Sequence, residues 1–345
     1  MGSGNSVSIT IKLDRTNRSF SPGEIVSGRV NVNIIGVQDK VHEIFIKLNG
    51  ETGYTTTRSI SEQDGPRRTV TEHHTTSLFS AKQVFERPTS EQKKLVYHAG
   101  NYSWSFEFRL PDQLPPSINQ PNEYPHVRYY LLFVIDKPWY KINRTETLYF
   151  TVIPRVNLLE NPQYLTRFLF GSHNQKELSL KGNINKLGYV PGETIEGTVE
   201  IDNPRQIFLK QIYLSLIQHF QIECETRRKT IIQTILPTIV NTKKQRIIER
   251  FSVTIPSNSL LPSYEFHGKA NVRVYYLLEF DIKADYMDTE FDITVPISLG
   301  TETNTKPNLY ELHQATNVLP NTVASYPGLT MQNEYSPPNY YFATQ

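Results

Sequence analysis

Pro337, Pro338, Asn339 and Tyr340, near the end of a 345-residue chain, are the residues whose types and spacing point most directly to chemistry. Two adjacent prolines pre-set an extended polyproline II backbone, so little entropy is lost when the segment docks into an aromatic-lined groove of the WW-domain type. Tyr340 supplies a second anchor, an amphipathic ring whose hydroxyl can hydrogen-bond at a pocket rim. Asn339 only spaces them. The chemistry implied is recognition. At the other end, Met1-Gly2-Ser3-Gly4-Asn5-Ser6 fits the pattern M-G-x-x-x-[ST], with Gly2 as myristoyl acceptor once Met1 is removed. The plainer reading is a lead-in of small residues. One myristoyl chain gives marginal, reversible membrane binding, so a basic patch or another contact has to help.

Two basic clusters offer such help. Arg227, Arg228 and Lys229 follow one expected strand, and Lys243, Lys244 and Arg246 open the next. If the two strands are antiparallel neighbours, the clusters face each other and can bind anionic lipid head groups or phosphorylated peptides. The ordinary explanation of such a charge run is a solvated face. Tyr326-Pro327-Gly328-Leu329 fits a Y-x-x-apolar endocytic signal through Tyr326 and Leu329, a short pattern that a chain with 20 tyrosines also produces by chance. Asn161-Pro162-Gln163-Tyr164 fits NPxY, and equally an Asn-Pro turn. His73 and His74 lack a second ligand pair at useful spacing, so no metal or other cofactor is expected. Cys224 reads as a lone strand cysteine that packs. No GxSxG elbow, HExxH helix or phosphate-binding GxxxxGK loop is present, and no catalytic residue is assigned.

The elements that carry these residues are strands. Residues 7–13 (VSITIKL) alternate apolar and polar side chains, the period-2 mark of a strand with one buried face. The same pattern covers 26–34, 44–48, 102–110 and 147–152, then 177–184, 195–201, 212–223 and 251–255. Runs 129–135 and 274–280 are apolar nearly throughout and read as central strands. Residues 58–94 are long, polar and weakly periodic, which predicts a mobile loop or a poorly ordered hairpin.

The chain is also written twice. FSPGEIVSGRV (20–30) returns as YVPGETIEGTV (189–199), FEFRLPDQLPPS (106–117) as FSVTIPSNSLLPS (251–263), and RYYLL (128–132) as VYYLL (274–278). Three echoes in one order at long spacing mean two copies of a domain, each near a normal domain size. The expected architecture is all-β: a β-sandwich over 6–153, a connection over 154–175, a second sandwich over 176–299, and a flexible tail over 300–345 that is too polar to pack.

Net charge of +2 gives no support to nucleic-acid binding. The single cysteine rules out an internal disulfide framework. With no signal-like apolar stretch and no apolar run near the ~18 residues of a membrane span, a cytosolic protein is expected.

The stretch LPDQLPPS (110–117), the later VRYYLLFVIDKPW (127–139), the duplicated PGE…GxV strand entry and the C-terminal PPNY together resemble the alpha-arrestins, arrestin domain-containing proteins. The resemblance spans about residues 6 to 300 plus the tail motif. It implies two arrestin-like, immunoglobulin-like sandwiches forming a cytoplasmic adaptor without enzymatic activity. Such adaptors recruit WW-domain HECT-type ubiquitin ligases to membrane protein cargo at the plasma membrane and endosomes, promoting ubiquitination, endocytosis and sorting. The chain departs from the pattern in having one PPxY where relatives usually have two, which removes the avidity of paired sites. The alternative is an arrestin-fold sorting or scaffold subunit, retromer-like or receptor-binding, that acts without a ligase.

Overall fold

A computed structural model describes residues 7–36, 38–60, 68–89, 94–119, 123–173, 178–258, 260–285 and 291–302. Among them there is no α-helix, and nothing helical long and apolar enough to cross a membrane. The first sandwich packs two sheets face to face. One holds β1 (Val7–Leu13), β3 (Ile25–Ile34) and β8 (Gly100–Arg109) in the order β1-β3-β8. The other holds β2 (Ser19–Phe20), β10 (Arg144–Val152), β9 (His126–Asp136), β5 (Glu43–Ile60) and β6 (Arg68–Glu86), in that order. A short pair, β4 (Gln38–Val41) with β7 (Leu95–Tyr97), crosses one end.

The second sandwich repeats the plan. Its smaller sheet is β11 (Phe168–His173), β12 (Ser179–Ile184), β14 (Thr194–Asp202) and β17 (Arg246–Thr254). Its larger sheet runs β13 (Gly188–Tyr189), β20 (Phe291–Leu299), β19 (Asn271–Ala284), β15 (Leu209–Ile222) and β16 (Glu225–Ile235), with β18 (Tyr264–His267) also paired to β19. The alternation read from the sequence is the burial pattern: along β3 Val26, Val30, Val32 and Ile34 point inward, and along β14 Ile195, Val199 and Ile201 do. Both apolar runs are central strands, β9 between β10 and β5, β19 between β20 and β15.

The sequence echoes are structural equivalences. Gly23 and Gly192, at φ 80 and 94°, make the turn that only glycine enters without strain. In the first copy the Gly23 N–H donates to the Pro111 carbonyl and the Leu110 N–H to that of Glu24. In the second, the Gly192 N–H donates to Ile255, whose own N–H donates to Glu193. Ser117 donates its N–H to the Val152 carbonyl and accepts the Val152 N–H on its hydroxyl; Ser263 does both with Leu299.

One echo is out of register. Buried Tyr129 donates its hydroxyl to the Pro115 carbonyl, and the residue that makes the matching bond, to Leu261, is Tyr276. The literal alignment of RYYLL with VYYLL pairs Tyr129 with Tyr275 instead. A slip of one residue turns every side chain to the opposite face, and the core accepts only the register that buries Tyr276, Leu278 and Phe280.

Two expectations need correction. The described residues of 58–94 are mostly strand, so of loop and hairpin it is the hairpin that holds, and it is regular: β6 pairs with β5 from Ile44↔Glu86 to Ile60↔Arg68. As an edge strand it is held by its backbone ladder and shows little apolar face, so its sequence looks like loop. Residues 154–175 are not all connection either. Two 3₁₀ turns, Leu158–Glu160 and Pro162–Leu165, are followed by β11, already part of the second sandwich.

Candidate functional site

The connection is tied firmly to the second sandwich. The Val156 N–H donates to the Thr301 hydroxyl at 2.8 Å, the Thr301 N–H returns to the Val156 carbonyl at 2.9 Å, and Leu158 is fully buried beside Gly300. Asn161-Pro162-Gln163-Tyr164 lies inside this segment: the Tyr164 N–H donates to the Asn161 carbonyl, closing the second 3₁₀ turn, and the Leu187 N–H donates to the Tyr164 carbonyl. The turn reading of that tetrapeptide is the one the chain adopts. Beside it, Ser21 to Glu24, Asp112, Pro154, Arg155 and Tyr264 surround a cleft of about 470 Å³, with Arg155 3.6 Å from Glu24.

Farther along, one carboxylate links the two sandwiches directly. β9 stops opposite Gly53, and two residues on, the Thr55 N–H donates to Glu225 Oε2 at 2.6 Å instead of to a ladder. The Thr55 hydroxyl donates to the same oxygen at 2.8 Å, while Arg227 donates to Oε1 at 2.7 Å. Burial pushes the Glu225 carboxyl up, but the bonds from Thr55 and Arg227 outweigh it and hold the group below its ordinary range. Sequence reasoning missed this pair because its members are 170 positions apart and neither belongs to a motif.

The basic residues divide. Arg227, Arg228 and Lys229 lie exposed on β16, the edge of the larger sheet, where cations also hinder edge-to-edge pairing with another chain. Strand alternation sends Arg227 and Lys229 to one face and Arg228 to the other. Arg228 pairs in register with His219, whose ring stacks on Tyr275 at 4.9 Å. Burial, then the Arg228 charge, lowers the His219 pKa, and its Nε2 is enclosed without a partner.

Lys243 and Lys244 are exposed in the turn before β17, and Arg246, the first residue of β17, is paired with Glu200. The expected face-to-face arrangement of the clusters is therefore wrong. β16 and β17 belong to different sheets. Arg228 sits opposite His219 and Thr242 opposite Leu209, so ten residues of β15 separate the clusters, roughly 30 Å. Here the chain changes layers between β16 and β17, which a sequence does not display.

Cys224 is also not a packed strand residue: it is exposed in the tight turn between β15 and β16. His73 and His74 are committed to ring contacts, His73 against Tyr124 and His74 stacked on Tyr54 with its Nε2 2.7 Å from the Thr56 hydroxyl. Among the described residues no group of three or more His, Cys, Asp or Glu is placed to hold a metal. Gly2, Tyr326, Leu329, Pro337, Pro338 and Tyr340 lie outside the described residues.

Comparison with protein families agrees with this architecture. Residues 9–159 match the arrestin (or S-antigen) N-terminal domain, and residues 174–304 match the arrestin (or S-antigen) C-terminal domain. With both domains present in that order, each over one of the two sandwiches, the chain belongs to the arrestin family.

Proposed function

We propose that this chain is an alpha-arrestin-type trafficking adaptor. Its double sandwich engages membrane protein cargo, and its tail recruits a WW-domain HECT-type ubiquitin ligase, so that cargo is ubiquitinated, internalised and sorted through endosomes. Arrestin family proteins are generally adaptors without enzymatic activity, which fits the body described above. The observation that carries the reading is Pro337-Pro338-Asn339-Tyr340 behind an arrestin body. A pre-extended proline pair followed at fixed spacing by an aromatic anchor suits a WW groove and serves no purpose in a sandwich core. The edge cations Arg227, Arg228 and Lys229 are the cargo- or head-group-facing part of this reading, with Lys243 and Lys244 as a separate site.

Calorimetric titration of the full chain with isolated WW domains tests the ligase arm. Micromolar binding by wild type and its loss in Tyr340→Ala are expected. Equal binding by both removes ligase recruitment and leaves a scaffold that sorts cargo without a ligase.

A further inference from the structure

The end of the first sandwich farthest from the Thr55–Glu225 contact carries a bare apolar tip. In the turn between β9 and β10, Trp139 is 96% exposed, Ile142 86% and Tyr140 52%. Large apolar side chains held almost wholly in water mark a surface that binds something apolar. The tip is built, not frayed. The Asn143 side chain accepts the Lys137 N–H at 2.8 Å and donates to Asp136 at 3.0 Å, and the Lys141 N–H donates to the Pro138 carbonyl at 2.7 Å. The Trp139 and Tyr140 rings meet edge-on at 5.7 Å, and the Lys40 ammonium lies 5.7 Å from the Tyr140 ring.

Chain topology adds to the same end. The link from β3 to β5 crosses it and leaves Ile35 69% exposed. Val7 pairs with Ile34, so the polypeptide enters the fold there, and Gly2 is five residues away, at most about 18 Å of chain. Charge identifies the partner. Lys137, Lys141 and Arg144 flank Trp139 and Ile142 in the sequence, and Asp136 is the one carboxylate between 136 and 144. Indole, phenol and an aliphatic side chain interspersed with cations suit a bilayer interface, where aromatic rings sit at head-group level and cations meet phosphates. An apolar groove of a protein gives less use to such a basic surplus.

We propose that this end of the first sandwich is a membrane-facing surface, with Trp139 and Ile142 entering the head-group boundary of an anionic bilayer and Lys137, Lys141 and Arg144 lying at its phosphates. The surface does not depend on ligase recruitment.

The test is co-sedimentation of the full chain, unmodified at its N-terminus, with phosphatidylcholine vesicles containing or lacking phosphatidylserine. Wild type partitions onto the anionic vesicles, and Trp139→Ser/Ile142→Ser loses at least about tenfold of that partition. The chain has two tryptophans, and Trp104 is stacked on Phe85 and Tyr102. The wild-type minus Trp139→Phe emission therefore reports position 139, and it shifts to the blue with vesicles. Equal partition of the double variant, or an emission at position 139 that stays that of a hydrated indole, overturns the proposal. So does a tip that captures a protein partner while ignoring vesicles. Because the altered side chains touch mostly water, the double variant keeps its unfolding midpoint and its affinity for WW domains, so failure here is distinguishable from failure of the ligase reading.

Discussion

Removing the Glu225 carboxylate should loosen the two sandwiches from each other without unfolding either. Glu225 accepts from the Thr55 N–H at 2.6 Å and from its hydroxyl at 2.8 Å, while Arg227 holds the second oxygen at 2.7 Å. A hydrogen bond to a charged group contributes about 1.5–3 kcal/mol, and a half-buried site belongs at the lower end. Thr55→Val deletes the hydroxyl bond alone and should cost about 1 kcal/mol. Glu225→Ala deletes both bonds to Thr55 and strands its N–H, about 3 kcal/mol in all. If the contact couples the domains, the double variant costs less than the sum by about 1 kcal/mol. Calorimetry would then show one broad endotherm of the wild type separating into two in Glu225→Ala, with faster amide exchange around Thr55.

The pH dependence has a definite sign. A carboxyl held below its ordinary value contributes fully above about pH 4.3 and is lost as pH falls through its lower folded value. Coupling should therefore be flat from pH 7 to about 5 and fade below about 4. Strict additivity of the two substitutions, or a Glu225→Gln variant that matches wild type at every pH, refutes the reasoning.

Gly197→Ala should cost about 3 kcal/mol, because its Cβ would fall 2.4 Å from the Asn183 carbonyl oxygen and 2.5 Å from the Phe251 ring. Gly192→Ala meets only Ser257 at 3.7 Å and should cost about 1–2 kcal/mol from its left-handed backbone; equal unfolding midpoints for the two variants would contradict this. Charge reversal at Arg228 and Lys229, and separately at Lys243 and Lys244, should weaken binding to anionic vesicles or phosphorylated peptides by amounts that add in free energy, since roughly 30 Å separates the clusters. Marked non-additivity in those titrations would mean that one ligand spans both.

Several features of this molecule are local and therefore legible in its residues. Alternation along 26–34 and 195–201 fixes which side chains face a core, because strand geometry turns successive residues to opposite faces. The Pro22-Gly23-Glu24 and Pro191-Gly192-Glu193 turns announce the duplication, since left-handed backbone there calls for glycine. The proline–tyrosine motif proposed for ligase recruitment is local in the same sense, since it lies within four consecutive residues, 337–340.

What the residues could not disclose is everything that depends on which strands lie side by side. β6 draws its order from β5 more than from an apolar face, so its polar sequence hid a 19-residue strand. The matching tyrosine is Tyr276 because the core chose the register, although the letters align equally well one residue away. Layering set Arg228 far from Lys243 and brought Thr55 to Glu225. The apolar run 129–135 is the central strand its residues suggested, but nothing in those residues showed that the turn after β9 leaves Trp139 in solvent. Strand pairing and sheet stacking join residues far apart in the chain, and their free energy is decided by the assembled sandwich.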